Sequence, residues 1–253
     1  MSITVIIHSL NEEKNIGDCI GSAKLLTDKI ILVDMESVDK TVEIAKKLNA
    51  SVFNFQIKSN YVEPAREFGI KKSKTDWVLI LDADERMTQE LAFEIKQLLT
   101  INSSLLTYFK IPRKNIFANI KWLKHGGWWP DYQIRLINKK SFVNWPKRIH
   151  STPFIKGDFG YLKNPLIHYF HGDLSNMVKK TIVFEDIESD LLYKAGKKTT
   201  TKTFFRKYLV ELFRRLIKNL GFLDGTVGII ESIYQAFSKT ITYLFLYEKS
   251  RHL

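Results

Sequence analysis

Cysteine is almost missing from this chain: Cys19 is the single example in 253 residues. No internal disulfide can form, which excludes the small secreted domains that depend on such staples. The opening Met1-Ser2-Ile3-Thr4 lacks the basic stretch and cleavage site of an export signal, so the cytoplasm is the expected compartment. No Gly-x-Gly-x-x-Gly follows the first apolar segment and no Walker-type loop is present, which argues against a dinucleotide cofactor. The apolar segment Val227 to Tyr247 is interrupted by Glu231, Gln235 and Lys239. It falls short of the run of about 18 apolar residues that a membrane crossing needs. A helix-turn-helix or an aromatic RNA-binding strand motif, the usual modules of specific nucleic-acid readers, is also missing.

What is present suits one large α/β domain, alone or with an appendage, because 253 residues at 45% hydrophobic content can bury a sizeable core. The front half alternates strands and helices, which predicts a parallel sheet covered on both faces. Ile3 to His8, Lys29 to Val33, Ser51 to Phe55 and Trp77 to Leu81 read as strands, with helices over about Glu12–Leu25, Asp39–Leu48 and Val62–Lys72 between them. Asp39 and Thr41 stand where caps of the second helix belong. From about Leu105 to Phe170 the pattern turns to short strands, and beyond about Leu174 it is helical.

Charge is unevenly distributed. Residues 1–100 hold 13 Lys and Arg against 16 Asp and Glu, a net −3, whereas residues 101–253 hold 26 against 11, a net +15. A basic rear attracts a polyanion, either nucleic acid or an anionic bilayer. Within it, Phe204 to Leu220 sets apolar residues among Arg206, Lys207, Arg214, Arg215 and Lys218 at helical spacing. This is a basic amphipathic helix, suited to a membrane surface. Together with Val227 to Tyr247 it is expected to lie on a bilayer or to pack in a homo-oligomer, with packing against the protein body as the alternative.

The most informative segment is Trp77-Val78-Leu79-Ile80-Leu81-Asp82-Ala83-Asp84, an apolar strand ending in two carboxylates. Ligands of open α/β sheets gather beyond the carboxyl ends of the strands. Mg²⁺ is commonly held there by one or two carboxylates plus substrate phosphates. Two aspartates at such a place also serve as turn formers or a helix cap. Trp122, Trp128, Trp129 and Trp145 form a tryptophan-rich region around the turn Gly126-Gly127, and read equally as a sugar platform or as a satellite core.

Four segments, in this order and spacing, carry a resemblance: Ile6-Ile7-His8-Ser9-Leu10-Asn11-Glu12-Glu13, Val33-Asp34-Met35-Glu36-Ser37-Val38-Asp39, Ala65-Arg66-Glu67-Phe68-Gly69-Ile70 and Leu81-Asp82-Ala83-Asp84. The chain resembles the family 2 glycosyltransferases of GT-A fold. His125-Gly126-Gly127-Trp128-Trp129-Pro130-Asp131-Tyr132-Gln133-Ile134-Arg135, Asn164-Pro165-Leu166-Ile167-His168 and Leu220-Gly221-Phe222-Leu223-Asp224-Gly225 extend it towards the lipopolysaccharide-core β-1,4-glucosyltransferases. The resemblance implies a mostly parallel mixed sheet flanked by helices. Residues 1–100 would form the nucleotide-sugar half, 101–173 the acceptor half and 174–253 a basic helical extension.

It further implies inverting transfer of a sugar, usually from a uridine diphosphate, to an acceptor hydroxyl. Ser9, Asn11 and Glu13 would lie near the nucleoside, and Asp34 would receive the base N–H. Arg66 would stand beside the diphosphate, and Asp82, Ala83 and Asp84 would bind the donor. Asp84, Asp82 and His168 would ligate Mn²⁺ or Mg²⁺. Asp131 would be the catalytic base. If the following segment is a strand, Gln133 and Arg135 would line the same side as Asp131, and with Trp128, Trp129 and His150 they would meet the acceptor or the diphosphate. His171 is a weaker candidate. Glu67 and Ser151 stand where the family more often has Asn and an acidic residue. The expected partners are thus a nucleotide-sugar donor, a glycan or glycolipid acceptor and an anionic membrane surface, with the enzyme peripheral on the inner face of the membrane and no nucleic acid bound. Two other functions share some of these features: a sugar-phosphate nucleotidyltransferase and a basic nucleic-acid-binding protein.

Overall fold

The computed structural model describes residues 1–56, 61–101, 106–170 and 174–251, and the apolar segments of the front half form the expected strands. In chain order the front half comprises β1 (Ile3–Ser9), α1 (Ile16–Ala23), β2 (Ile30–Asp34), α2 (Thr41–Lys47), β3 (Ser51–Asn54), α3 (Glu63–Lys72) and β4 (Trp77–Asp82). It continues with β5 (Glu85–Arg86), α4 (Gln89–Ile101), β6 (Leu106–Phe117), β7 (Lys121–Trp122) and β8 (Asp131–Asn138). Then follow β9 (Phe142–Asn144), β10 (Phe154–Ile155), β11 (Asp158–Tyr161) and β12 (Leu166–Phe170). Three helices end the chain: α5 (Leu174–Lys194), α6 (Thr201–Phe213) and α7 (Gly225–Arg251). These elements fall into two units, Met1–Arg113 with Tyr132–His168, and Lys114–Asp131 with Tyr169–Leu253. His171 lies outside the described residues.

In the first unit β1 pairs in parallel with β2 on one side and β4 on the other, and β3 extends the β2 edge. The sheet runs β3-β2-β1-β4-β8-β6-β12-β5, with β8 antiparallel to β4. Strand order reverses between β1 and β4, the switch point outside which such sheets bind ligands. Both faces of the central strands are buried, as expected where helices cover a parallel sheet. Val5, Ile7, Leu79 and Leu81 face one core with Ile16, Ile20, Leu91 and Ile95 of α1 and α4. Alternate residues Ile6, Val78 and Ile80 face the other with Ala65 and Ile70 of α3.

Two expectations are corrected. The middle region holds one long strand, β6, of 12 residues among its short ones. The first helix is shorter than expected because its start is spent elsewhere: Asn11 takes a positive φ of 56° and the Glu12 N–H donates to Thr41 Oγ1 at 2.8 Å. Asp39 does receive the Thr41 N–H at 3.0 Å, as a cap would. The basic helix of the rear ends at Phe213 in a π-helical turn, Arg214–Lys218.

Gly69 brings α3 unusually close to β1. A Cβ there would stand 2.7 Å from Ile6 Cγ2 and 3.0 Å from Val33 Cγ2. Arg66 lies three residues earlier on the same helical face, so the glycine also determines how deeply Arg66 reaches. Gly69→Ala is expected to lower stability by roughly 1–3 kcal/mol through overpacking. Urea unfolding checks this; an unchanged midpoint would show that the helix can retreat freely.

Candidate active site

The end of β4 carries a buried cluster of charge. Asp82 Oδ1 lies 2.7 Å from Arg66 Nη2, and its Oδ2 lies 2.6 Å from Arg135 Nη2. Arg135 also pairs with Glu85, which is fully buried, and Arg113 approaches the same Glu85 oxygen at 3.4 Å. The other Glu85 oxygen accepts the Asp82 N–H at 3.0 Å, which closes the turn between β4 and β5. Burial would push the Asp82 carboxyl up, but Arg135 and Arg66 outweigh it and hold the group well below the usual carboxylate range. Arg135 is correspondingly raised above its ordinary value by Asp82 and Glu85 despite its burial.

These contacts give two of the expected site residues structural partners. Asp82 has each carboxylate oxygen beside a guanidinium group. Arg135 points into the cluster, with only 5% of its side chain exposed, rather than towards an acceptor. Alternation along β8 from Asp131 was the right pattern, but the carboxylates at the strand tip needed a cation more than a substrate did.

Asp84 has a different environment. It sits in the two-residue turn after β4, and β5 then pairs antiparallel with β12, setting His168 opposite Glu85. Residues 84 positions apart are thereby brought together, with His168 Nε2 3.5 Å from Asp84 Oδ2. A carboxylate and an imidazole at this separation can share one divalent cation. Among the described residues no group of three or more His, Cys, Asp and Glu side chains could hold a metal by itself. The donor set therefore fits an ion whose coordination is completed by substrate oxygens and water.

The loops after β1 and β2 are stitched to each other. Asn11 N–H donates to Ser37 Oγ at 2.9 Å, Val38 N–H to Asn11 Oδ1 at 2.9 Å, and Lys40 N–H to Glu13 Oε2 at 3.2 Å. Asn11 and Glu13 thus shape the loop. Asp34 is buried and accepts the Ser37 N–H through Oδ2, while its Oδ1 and the Ser9 hydroxyl have no hydrogen-bond partner. Buried polar groups without a partner are uncommon, and these two lie at the end of the parallel sheet.

Arg66 also lies over the Trp145 ring at 5.3 Å, so Trp145 belongs to this cluster and to the core beneath it. Glu67 accepts the Trp145 N–H at 3.2 Å and pairs with Lys71, which gives the unusual acid a structural task. His150 is exposed, and its N–H donates to Glu63 at 2.8 Å.

The second unit holds Asp131 and the tryptophan turn. Asn115 is fully buried and donates to both Trp128 O (3.1 Å) and Asp131 Oδ2 (3.2 Å). Trp128 packs with Phe117, Leu123, Phe170 and Met177, which is the satellite core that its sequence allowed. Trp122 and Trp129 meet edge to face at 5.4 Å, and Lys114 and Lys124 stand over the Trp122 ring. Gly126 and Gly127 have positive φ, as the expected turn requires.

A family model described as Glycosyl transferase family 2 matches residues 4–159. The chain belongs to glycosyltransferase family 2. Family membership makes the protein a glycosyltransferase. It is 29% identical over 270 residues to an uncharacterized glycosyltransferase of Rickettsia typhi, covering 98% of this chain and 87% of that one. Similarity to the lipopolysaccharide core biosynthesis glycosyltransferase LpsC of Rhizobium meliloti is 21% over 262 residues, covering 98% and 93%. Among solved structures, S. aureus TarS 1–349 is similar with a TM-score of 0.52 at 14% identity, covering 100% of this chain and 92% of that one. The same fragment in complex with UDP gives 0.53 at 13%. These likenesses establish the GT-A fold.

Sequence reading missed Glu85 and His8 in this family 2 site. A third acid directly after the Asp82-Ala83-Asp84 tip was a signal for Glu85. His8 showed none, because it reads as one more strand residue. It is buried opposite Asp82 in the β1–β4 register, with its Nε2 3.3 Å from Ala65 O. Burial, helped by Arg66, pulls its imidazole down from 6.5 to about 3, so it is neutral at pH 7. The unfolded chain binds this proton more readily, and stability must fall as pH drops below the unfolded value towards the folded one. Lowering pH from 7 to 5 is expected to lose about 2 kcal/mol through His8, a loss that His8→Gln should remove. Denaturant midpoints at the two pH values measure it; an equal fall in both proteins would assign the slope to other groups.

Proposed function

We propose that this glycosyltransferase moves a hexose from UDP, with inversion, to a hydroxyl of a lipid-linked or lipopolysaccharide-core acceptor at the cytoplasmic face of a membrane. The observation that carries the reading is the β5–β12 pairing that sets His168 beside Asp84. Asp34 would take the base N–H through Oδ1, with the Ser9 hydroxyl beside it. Arg66 adds positive charge near the diphosphate, although its partner Asp82 limits it to field rather than a free fork. A Mn²⁺ or Mg²⁺ ion held by Asp84 and His168 would neutralise charge on the departing nucleoside diphosphate. Asp131 would accept the proton of the attacking hydroxyl, as an inverting displacement needs one base opposite the leaving group. The UDP complex of TarS and the core-biosynthesis description of LpsC agree with this donor and this acceptor class.

Asp84→Ala is expected to abolish both sugar transfer and the rise in melting temperature that UDP and Mn²⁺ produce together. Full transfer by that variant would overturn the metal site. Asp131→Asn should keep donor binding and lose about 10²–10⁴-fold in kcat.

The membrane clause rests on the second unit, whose helices are inverted relative to ordinary surface helices. α7 buries Gly228, Glu231, Ser232, Ala236, Ser238, Thr240, Thr242 and Leu246 and exposes Ile230, Ile233, Phe237 and Leu244. α6 buries no residue at all, and Phe205, Leu209, Val210 and Phe213 are each more than half exposed. Arg206, Lys207, Arg214 and Lys218 are exposed among them. Apolar surface interleaved with cations matches the interface of an anionic bilayer. Among the described residues no helix is long and apolar enough to cross a membrane. The protein is expected to float with liposomes containing phosphatidylglycerol, and Phe205→Glu with Leu209→Glu should abolish flotation. Flotation equal to wild type, or a dimer that the same changes dissociate, would reject the bilayer.

A further inference from the structure

The turn joining α6 to α7 holds the loop that ends in Asp131. Asp224 is buried at the end of this turn, and one carboxylate serves three donors. Its Oδ2 accepts the N–H groups of Lys124 (2.9 Å) and His125 (2.8 Å), and its Oδ1 lies 2.9 Å from His125 Nδ1. Lys121 Nζ donates to the Asp224 carbonyl at 2.6 Å. The next residues are fixed from the same side: Gly126 N–H donates to Asn219 O at 2.7 Å, and Arg215 Nη1 to Gly126 O at 3.2 Å. Arg215 also stacks over Trp128 at 5.2 Å, whose carbonyl receives the Asn115 amide that binds Asp131.

The turn packs closely against the start of α7. A Cβ on Gly228 would stand 2.1 Å from Gly221 O, and one on Gly221 would stand 2.5 Å from Ser232 Oγ. Rigid backing, a carboxylate with every oxygen engaged, and a chain of contacts ending on Asp131 form one continuous support.

We propose that Asp224 is a positioning residue for sugar transfer, holding the Lys121–Asp131 loop so that Asp131 stands at the acceptor hydroxyl. The inference rests on the reading of Asp131 as the base. Its physical content is that a base misplaced by about 1 Å can cost as much as 10²-fold in rate. The C-terminal helices thereby contribute to catalysis as well as to docking.

The test uses the full chain and whichever of UDP-glucose, UDP-galactose and UDP-N-acetylglucosamine most raises its melting temperature with Mn²⁺. UDP release, with water as acceptor, reports turnover. Asp224→Asn is expected to lower kcat about 10–100-fold with donor KM within about twofold of wild type. In an Asp131→Asn background the same change should cost nothing further, because the residue acts through the base. Hydrogen exchange supplies a readout without turnover: the amides of Lys124, His125 and Gly126 should exchange faster in Asp224→Asn. If that variant folds poorly, His125→Asn, which removes one partner only, should show a smaller effect of the same kind. Unchanged kcat and unchanged exchange, or an equal loss in both backgrounds, would overturn the inference. Wild-type turnover by Asp131→Asn would instead reject the base, while faster loop exchange in Asp224→Asn would still stand as a separate result.

Discussion

The pairing of Asp82 with two arginines is the constraint on which the rest of the first unit depends. A carboxylate and two guanidinium groups are withdrawn from water at the tip of the central strand, and Glu85 is withdrawn with them. Burying a charge without a partner is costly, and removing one member of such a pair typically costs about 3–5 kcal/mol. The cluster is therefore all-or-none. It ties α3 (through Arg66), β4, β5 and β8 (through Arg135) to one point, so the backbone around that point cannot drift. Glycine at position 69 is the steric condition for this arrangement, because a helix held further from β1 could not deliver Arg66 to Asp82.

The same constraint divides labour among three acids in four positions. Asp82 ends β4 and turns inward to the arginines. Glu85 begins β5, is fully buried, and closes the turn by accepting the Asp82 N–H. Asp84, in the turn between them, lies beside His168. An acidic pair at a strand tip thus does not imply two equivalent ligands. The neighbour with cations, Asp82, becomes the anchor, and the other lies 3.5 Å from His168.

This division explains what was readable from sequence. Strand and helix alternation, the parallel sheet and the importance of the Asp82–Asp84 tip follow from local pattern, because apolar periodicity reports burial on one or both faces. His168 was nominated through family resemblance, and its distance to Asp84 depends on a two-residue strand, β5, too short to leave a pattern. Asn11 and Glu13 lie in the loop after β1, and their polar atoms bond the neighbouring loop, a choice fixed by tertiary contacts. Arg135 illustrates the limit most clearly. Its place on β8 was legible and its ion pairs with Asp82 and Glu85 were not, because the sequence shows which side a residue faces but not which charge it finds there.

In the second unit α6 and α7 expose many apolar side chains beside a small buried apolar cluster, and packing explains how they can do so. Small residues along α7 allow close helix contact, while Glu185 of α5 receives hydrogen bonds from Ser238 and Thr242. Lys249 binds Asp186, Ser189 and Asp190 at the far end. Polar contacts inside leave the apolar side chains for the outside, which water alone would not favour. Such a surface is stable in isolation only at a cost, and contact with an apolar phase removes that cost. Between α6 and α7 the turn through Asp224 faces the other way, with its carboxylate buried on the loop that precedes β8. One short hairpin thus presents hydrocarbon on its exposed side and hydrogen-bond acceptors on its buried side. A substitution in it can alter surface apolarity or loop order separately, according to which side it touches.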